Sequence, residues 1–249
     1  MITSPYPVAQ SEIDSNRRTA ALAGWLFVAT YVTSIAAQLV FYGPVLDKPE
    51  YITGAGANAY NSVALGALLE MLLIIANVGT AVVLFPILKR QSEAGALGYV
   101  AARLVESTFI AIGLVSLLTI LTVREDGALG ANAALGKALI AIHDWTFLLG
   151  PGFIVGIGNG LLLGYLMYRS GLVPRRMAML GLIGGPLIVA SGILVLFDVV
   201  DAGSPVQIIA TIPEFIWELS LGIYLIVKGF KPSPILTAEG PVSAGRPQI

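Results

Sequence analysis

An apolar run at residues 96–123 contains two charged side chains, Arg103 and Glu106. A helix needs about 20 mostly apolar residues to cross a bilayer, so this run is long enough to span one with some tilt. An ionisable side chain near the middle of such a helix costs about 2.5 to 3.5 kcal/mol, and it is retained where protein, water or an opposite charge surrounds it. Because Arg103 and Glu106 are three residues apart and share a helical face, they are predicted to pair, with Glu218 or Glu70 as a second partner of the arginine.

The composition places the whole chain among polytopic membrane proteins. Hydrophobic residues make up 56% of the chain, charged residues 12%, and the mean hydropathy is +0.84. The chain has no cysteine and one histidine, which excludes disulfides, Cys-ligated metal centres and multi-histidine sites. No block of basic residues points to nucleic acid, so none is expected as a partner.

Hydropathy and helix-breaking residues predict an all-α membrane bundle of six transmembrane helices. The predicted spans are residues 19–42, 61–88, 95–123, 133–168, 174–197 and 206–227. Residues 1–18 are expected to form an N-terminal cytoplasmic tail, and residues 19–231 the membrane domain. Residues 232–249 are rich in Pro, Gly, Ser and Ala and are expected to be a disordered cytoplasmic tail.

The fourth predicted span is too long for one straight transmembrane helix. At ~1.5 Å per residue it would measure about 54 Å, more than the thickness of a bilayer. We therefore predict a kink at Pro151, with the preceding part, which includes His143, at or above the interface.

A stripe of glycines follows this proline at every fourth residue. Its members are Gly152, Gly156, Gly160 and Gly164. The spacing is typical of helices that approach each other closely in membranes. The partner can be a helix of the same chain or a second copy in a homo-oligomer.

The basic residues are distributed unevenly between the two sides that six spans define. The side with both termini carries ten Lys and Arg residues, counted in the tails, loops and span ends, and the other side carries three. Because cytoplasmic loops carry the excess of Lys and Arg, both termini are predicted to face the cytoplasm.

Five short segments carry a family resemblance. They are PILKR at residues 86–90, YVAARLVE at 99–106, YRSGLVPR at 168–175, PEFIWE at 213–218 and VKGF at 227–230. With them the chain resembles a bacterial family of six-span integral membrane proteins classed as a domain of unknown function. The resemblance covers roughly residues 18–231 and implies a multi-pass protein of the bacterial inner membrane. It implies no activity, catalytic residue or cofactor, so these stay unknown.

Polar side chains on three spans are predicted to face a common interior. They are Glu70, Asn77, Arg103, Glu106, Glu214, Trp217 and Glu218. The charged and amide members are three, four or seven residues apart within each helix, which places them on one face. One arginine cannot neutralise four carboxylates. Bound protons, a cation or a hydrated pocket open to the outer face is therefore expected among them.

Three functions follow from this pattern and stay open at the level of sequence. The pocket can bind or move a proton, a cation or a small polar ligand across the lipid bilayer. A metal-dependent intramembrane enzyme is the second possibility, with glutamates and His143 as ligands that activate water. In the third, the protein is structural and Arg103 only joins helices through its carboxylate partners.

Overall fold

A computed structural model gives the structure of the chain for residues 10–54, 57–126 and 132–236. All regular structure in these ranges is helical. Six helices are long and apolar enough to cross a membrane, and we call them spans 1 to 6 in chain order. Their bounds are Ile13–Phe41, Tyr60–Leu88, Glu93–Asp126, Ala133–Ser170, Arg175–Leu196 and Pro205–Val227. The predicted all-α architecture with six spans is confirmed.

The structure differs from the prediction mainly before span 1 and after span 6. The first α-helix begins at Gln10, inside the predicted N-terminal tail, and ends at Ala36. A π-helical turn, Ala37–Phe41, follows it. After span 6, Pro234–Leu236 form a 3-10 turn, and both Ser233 and Leu236 are buried. The first residues of the expected disordered tail therefore pack against the bundle, while residues 237–249 lie outside the described residues.

The spans form a closed ring in which each one packs on its chain neighbours and span 6 packs on span 1. Span 1 and span 6 are tied together where the chain begins and ends. The guanidinium of Arg17 donates to the carbonyl oxygens of Leu225 at 3.1 Å and Ile226 at 2.6 Å, which occupies acceptors at the end of span 6. We call this side of the bundle the termini end and the other the opposite end.

Span 4 contains a wide, irregular middle instead of a straight α-helix. Its α-helical part Ala133–Leu149 is followed by the π-helical segments Gly150–Ile154 and Gly156–Leu163. Pro151 has no backbone N–H and cannot continue the α-helical hydrogen-bond pattern, which explains why the change begins here. π-Helical turns rotate the following side chains relative to an α-helix and occur often at functional sites.

The glycine stripe of span 4 packs against span 5 of the same chain. A methyl group on Gly160 would lie 2.4 Å from Cα of Gly185, and one on Gly156 would lie 2.7 Å from the Gly185 carbonyl oxygen. Gly164 also faces span 5, whereas Gly152 meets only its own helix, at 3.5 Å. Close backbone approach requires the absence of side chains here. Self-association through the stripe stays a prediction.

Two apolar clusters enclose a polar layer between them. The cluster at the termini end includes Phe27, Leu84 and Trp217, all fully buried. The cluster at the opposite end includes Tyr42 and Ile52, from the segment that joins spans 1 and 2 and folds over the ends of spans 3 and 4. The polar side chains that the spans bury are therefore shielded at both ends of the bundle.

Candidate functional site

A cavity of about 220 Å³ lies inside the ring, and all six spans contribute to its wall. Its polar lining residues are Thr30, Tyr31, Ser34, Asn77, Arg103, Glu106, Thr211, Glu214 and Glu218. Three of the four glutamates predicted to share a pocket thus line one cavity. They differ in their hydrogen-bond partners, and these differences indicate what each one does.

Glu106 belongs to a network in which both of its carboxylate oxygens have partners. Arg103 donates from Nη1 to Glu106 Oε2 at 2.8 Å, and Asn77 donates from Nδ2 to Glu106 Oε1 at 3.0 Å. Arg103 also donates from Nε to Thr80 Oγ1 at 3.3 Å and is 2% exposed. The pair predicted from the three-residue spacing is present within span 3, and its hydrogen bonds to Asn77 and Thr80 join span 3 to span 2.

The prediction that Arg103 also binds Glu218 or Glu70 is wrong. Within the described residues, the only carboxylate that forms an ion pair with this guanidinium is Glu106. The guanidinium instead lies 5.9 Å from the centre of the Phe27 ring, within the range of a cation–π contact. One carboxylate, one amide and one hydroxyl are already arranged around Arg103, so it has less need of a second acid.

Glu218 receives its hydrogen bond from span 4. Asn159, in the π-helical part of that span, donates from its side-chain amide to Glu218 Oε1. On the other side, Tyr31 Oη lies 3.4 Å from Glu218 Oε2 while donating to the carbonyl oxygen of Phe215 at 2.8 Å. The Tyr31 hydroxyl carries one proton, so it can donate either to the carbonyl oxygen or to the carboxylate.

Glu214, one helical turn before Glu218, has no hydrogen-bond partner on either carboxylate oxygen. Its side chain is 2% exposed and is pressed between spans 4 and 5. A methyl group on Gly160 would lie 2.7 Å from Glu214 Oε2, and one on Gly184 would lie 2.9 Å from the same atom. Asn159 Oδ1, beside this carboxylate pair, is also buried and without a donor.

The fourth glutamate, Glu70, lies outside the cavity in a separate polar cluster. Tyr42 donates to Glu70 Oε2 and Gln38 donates to Glu70 Oε1, both at 3.0 Å. The single pocket predicted for all four glutamates is therefore divided in two. Glu70 and Asn77 share a face of span 2, but Asn77 meets span 3, whereas Glu70 meets the end of span 1.

His143 belongs to the Glu70 cluster and is buried, with 3% of its surface exposed. Its Nε2 lies 3.3 Å from Gln38 Nε2, and its Nδ1 lies 3.4 Å from Asp144 Oδ1. The segment after span 1 covers this part of span 4, so the histidine is enclosed by protein, and its depth relative to the membrane interface stays a prediction. Between Glu70 and His143 there is a space of about 10 Å³, roughly the minimum for one water molecule.

A metal centre finds little support in this geometry. In the described parts of the chain, no three His, Asp or Glu side chains are close enough to hold a metal ion together. Gln38 and Tyr42 lie between His143 and Glu70, and His143 does not line the cavity that contains the other glutamates.

Trp217, the remaining predicted site residue, does not line the cavity. It is fully buried, and its Nε1 donates to the backbone carbonyl oxygen of Asn159 at 2.9 Å. A methyl group on Gly181 would lie 2.6 Å from the same nitrogen, so the indole fills the space that this glycine leaves. Trp217 thus contacts the backbone of the π-helical segment of span 4.

Residues 22–229 match the family described as Domain of unknown function (DUF4386). The chain belongs to this family. No curated protein and no solved structure matches the chain. All of the predicted site residues lie within the part of the chain that matches DUF4386. The family description names no activity or ligand, so the chemistry of the cavity has to be argued from its own side chains.

Among the residues of these sites that sequence reasoning missed in the DUF4386 chain are Asn159, Gln38 and Tyr31. Asn159 lies between two glycines and was masked by the glycine stripe, although a lone amide in an apolar span is itself a signal. Gln38 offers the same signal near the end of span 1. Tyr31 offers none, because tyrosine is an ordinary residue of membrane spans.

Proposed function

We propose that this protein binds a monovalent cation, in exchange for a proton, at the carboxylate pair Glu214 and Glu218. The observation that carries the proposal is the isolation of Glu214, which is buried and receives no hydrogen bond. An ionised carboxylate in such a place is costly unless a cation or a proton compensates it. One positive charge, supplied by a cation or a proton, would therefore stabilise the site.

The charges around Glu214 support a monovalent occupant. The groups that face it are Glu218 on the same span, Arg103 and Glu106 on span 3, and Tyr31 on span 1. Arg103 and Glu106 neutralise each other through their ion pair. Two carboxylates then remain, and one cation plus one shared proton balances them without a net charge in the membrane.

The alternative functions explain less of the site. A metal-dependent hydrolase requires a centre of at least three protein ligands, and the described residues do not provide one near the cavity. A purely structural role explains the Arg103–Glu106 pair, because its hydrogen bonds to Asn77 and Thr80 join spans 2 and 3. It does not explain Glu214, because a buried carboxylate without partners lowers stability instead of raising it.

The test is a measurement of thermal stability on the purified protein in detergent, with sodium, potassium and ammonium chloride compared at equal ionic strength. At a cation concentration of about 100 times the Kd, binding to the folded state adds about 2.7 kcal/mol to its stability. We expect one cation to stabilise the protein and its midpoint concentration to rise as the pH falls, since protons compete. Glu214→Gln and Glu218→Gln should abolish the response.

Glu70→Gln is the matched control, because Glu70 is a buried carboxylate outside the cavity. It should keep the full cation response. No response in the natural protein, or an unchanged response in Glu214→Gln, would contradict the proposal.

We further propose that the protein lies in the inner membrane of a bacterium with both termini in the cytoplasm. The excess of Lys and Arg on the termini side, ten against three, supports this orientation. Reporter fusions at Lys89, Arg169 and the C-terminus should all give cytoplasmic signal. A periplasmic signal at Arg169 would overturn the orientation.

A further inference from the structure

We infer that the cation of this site is an organic ammonium ion with an apolar tail, and that it enters from the lipid through an opening between spans 1 and 6. The inference rests on the proposed function, since it names the class of cation that Glu214 and Glu218 bind. It depends on three observations: where the cavity wall is exposed, what surrounds the opening, and which acceptors at the inner end lack donors.

The wall of the cavity is exposed on one side only. Apart from Pro151, the lining residues on spans 2 to 5 are buried. The exposed and half-exposed ones lie on the other two spans: Tyr31, Ser34 and Ile35 on span 1, and Thr211, Phe215 and Glu218 on span 6. Ile35 and Phe215 have 43% and 42% of their surfaces exposed. The cavity therefore opens sideways between spans 1 and 6.

This seam is closed toward the termini end. A methyl group on Gly24 would lie 2.6 Å from the Gly222 carbonyl oxygen, so the two backbones nearly touch there. Farther along, the rings of Tyr31 and Phe215 meet edge to face with their centres 4.8 Å apart. Span 1 ends in a π-helical turn that packs on span 2. The seam is thus tight at one end and leaves the cavity accessible beyond the aromatic pair.

The opening faces hydrocarbon instead of water. At ~1.5 Å per residue, Thr211 and Phe215 lie about 9 and 15 Å from the Pro205 end of span 6, well inside a hydrocarbon layer of about 30 Å. The side chains that flank it are apolar and exposed, with Val32 at 61% and Ile212 at 47%. An inorganic ion cannot approach through lipid without losing its hydration, whereas an amphiphile already lies there.

The inner end of the cavity offers two buried acceptor atoms without donors, the carboxylate oxygens of Glu214, and the carboxylate of Glu218 lines the same wall. A primary ammonium group carries three N–H donors and no acceptor, so it can donate to both carboxylates at once. The apolar side chains of Ile110, Val155 and Ile188 complete the wall on spans 3, 4 and 5. A cavity of about 220 Å³ accommodates the ammonium group and the first methylenes, and the rest of a tail extends into the lipid.

Thermal stabilisation of the purified protein by ammonium, butylammonium, hexylammonium and octylammonium chloride tests the inference, with 1-octanol as the uncharged match. We expect the concentration for half-maximal stabilisation to fall about fourfold for each of the first added methylenes, the factor that corresponds to ~0.8 kcal/mol per buried CH₂. Octanol should have no specific effect. Glu214→Gln should abolish the dependence on tail length, which separates binding at the site from partition into detergent.

Two tryptophan substitutions test the route. Ile35→Trp fills the opening and should weaken octylammonium binding about tenfold, since overpacking costs at least ~1.4 kcal/mol. Leu22→Trp, an exposed position on the same helix that lies toward the termini end and away from the opening, should leave it unchanged. Stabilisation by octanol equal to that by octylammonium would overturn the inference. A response to ammonium or potassium that needs Glu214 but ignores tail length and Ile35→Trp would overturn lateral entry alone, and the proposed cation site would stand.

Discussion

Glu106 and Glu214 line the same cavity, are equally removed from water, and have opposite surroundings. Both oxygens of Glu106 accept hydrogen bonds, one of them from an arginine, whereas neither oxygen of Glu214 accepts any. Glu106, on span 3, accepts a hydrogen bond from Asn77 on span 2 and thereby joins the two spans. Glu214 stands against the glycine backbones of spans 4 and 5, which offer no donor side chain.

The difference separates structure from function within one cavity. A buried charge that is paired and fully hydrogen-bonded can be kept for the packing of helices alone. A buried carboxyl without partners contributes nothing to packing that a glutamine would not, so its retention needs another reason. The two residues are alike in burial and charge. They differ in the hydrogen-bond donors that surround their carboxylate oxygens.

The largest expected loss of stability concerns the Glu106 network, and its absence would contradict the difference between Glu106 and Glu214. Glu106→Gln leaves the Arg103 charge buried without its ion-pair partner, and we expect it to reduce the free energy of unfolding by about 3–5 kcal/mol. Arg103→Met combined with Glu106→Gln removes both charges and should restore part of that loss. Chemical or thermal unfolding in detergent measures all three proteins. A double variant less stable than Glu106→Gln would show that the pair is not the source of the effect.

An intermediate effect concerns the backbone contact that holds Glu214 in place. Gly160→Ala puts a methyl group 2.4 Å from Gly185 Cα and 2.7 Å from Glu214 Oε2. Overpacking of this kind costs about 1–3 kcal/mol, and it should also weaken the cation response by displacing the carboxylate. Gly152→Ala is the matched control in the same glycine stripe, because its methyl group would meet nothing closer than 3.5 Å. Equal losses in the two variants would contradict a specific seam at Gly160.

Much of the fold can be predicted from the sequence because each span is recognisable from its own apolar composition. The six apolar segments and the Arg103–Glu106 pair depend only on residues close together in the chain. Helical periodicity also predicts that Glu214 and Glu218 share a face. These inferences need no knowledge of how one helix is rotated against another.

The division of the glutamates could not be predicted, because it depends on the contacts between helices. Glu70 and Asn77 share a face of span 2 but meet different neighbours, span 1 and span 3. The position of His143 depends on a loop that folds over span 4, and the position of Asn159 on π-helical turns that shift the register. Counting residues along an ideal α-helix takes account of neither.

The smallest effect is the one that sharpens the comparison most. Glu214→Gln removes a carboxyl group that no partner satisfies, so we expect the free energy of unfolding without added cation to change by no more than about 0.5 kcal/mol, or to rise. The same chemical change at Glu106 is expected to be strongly destabilising, although the two residues are buried to a similar degree. Unfolding at several pH values, without added cation, should show that the mutant has lost any pH dependence that Glu214 contributes. A loss at Glu214 as large as that at Glu106 would mean that this carboxyl also stabilises the helix bundle, and the case for a cation site would fall with it.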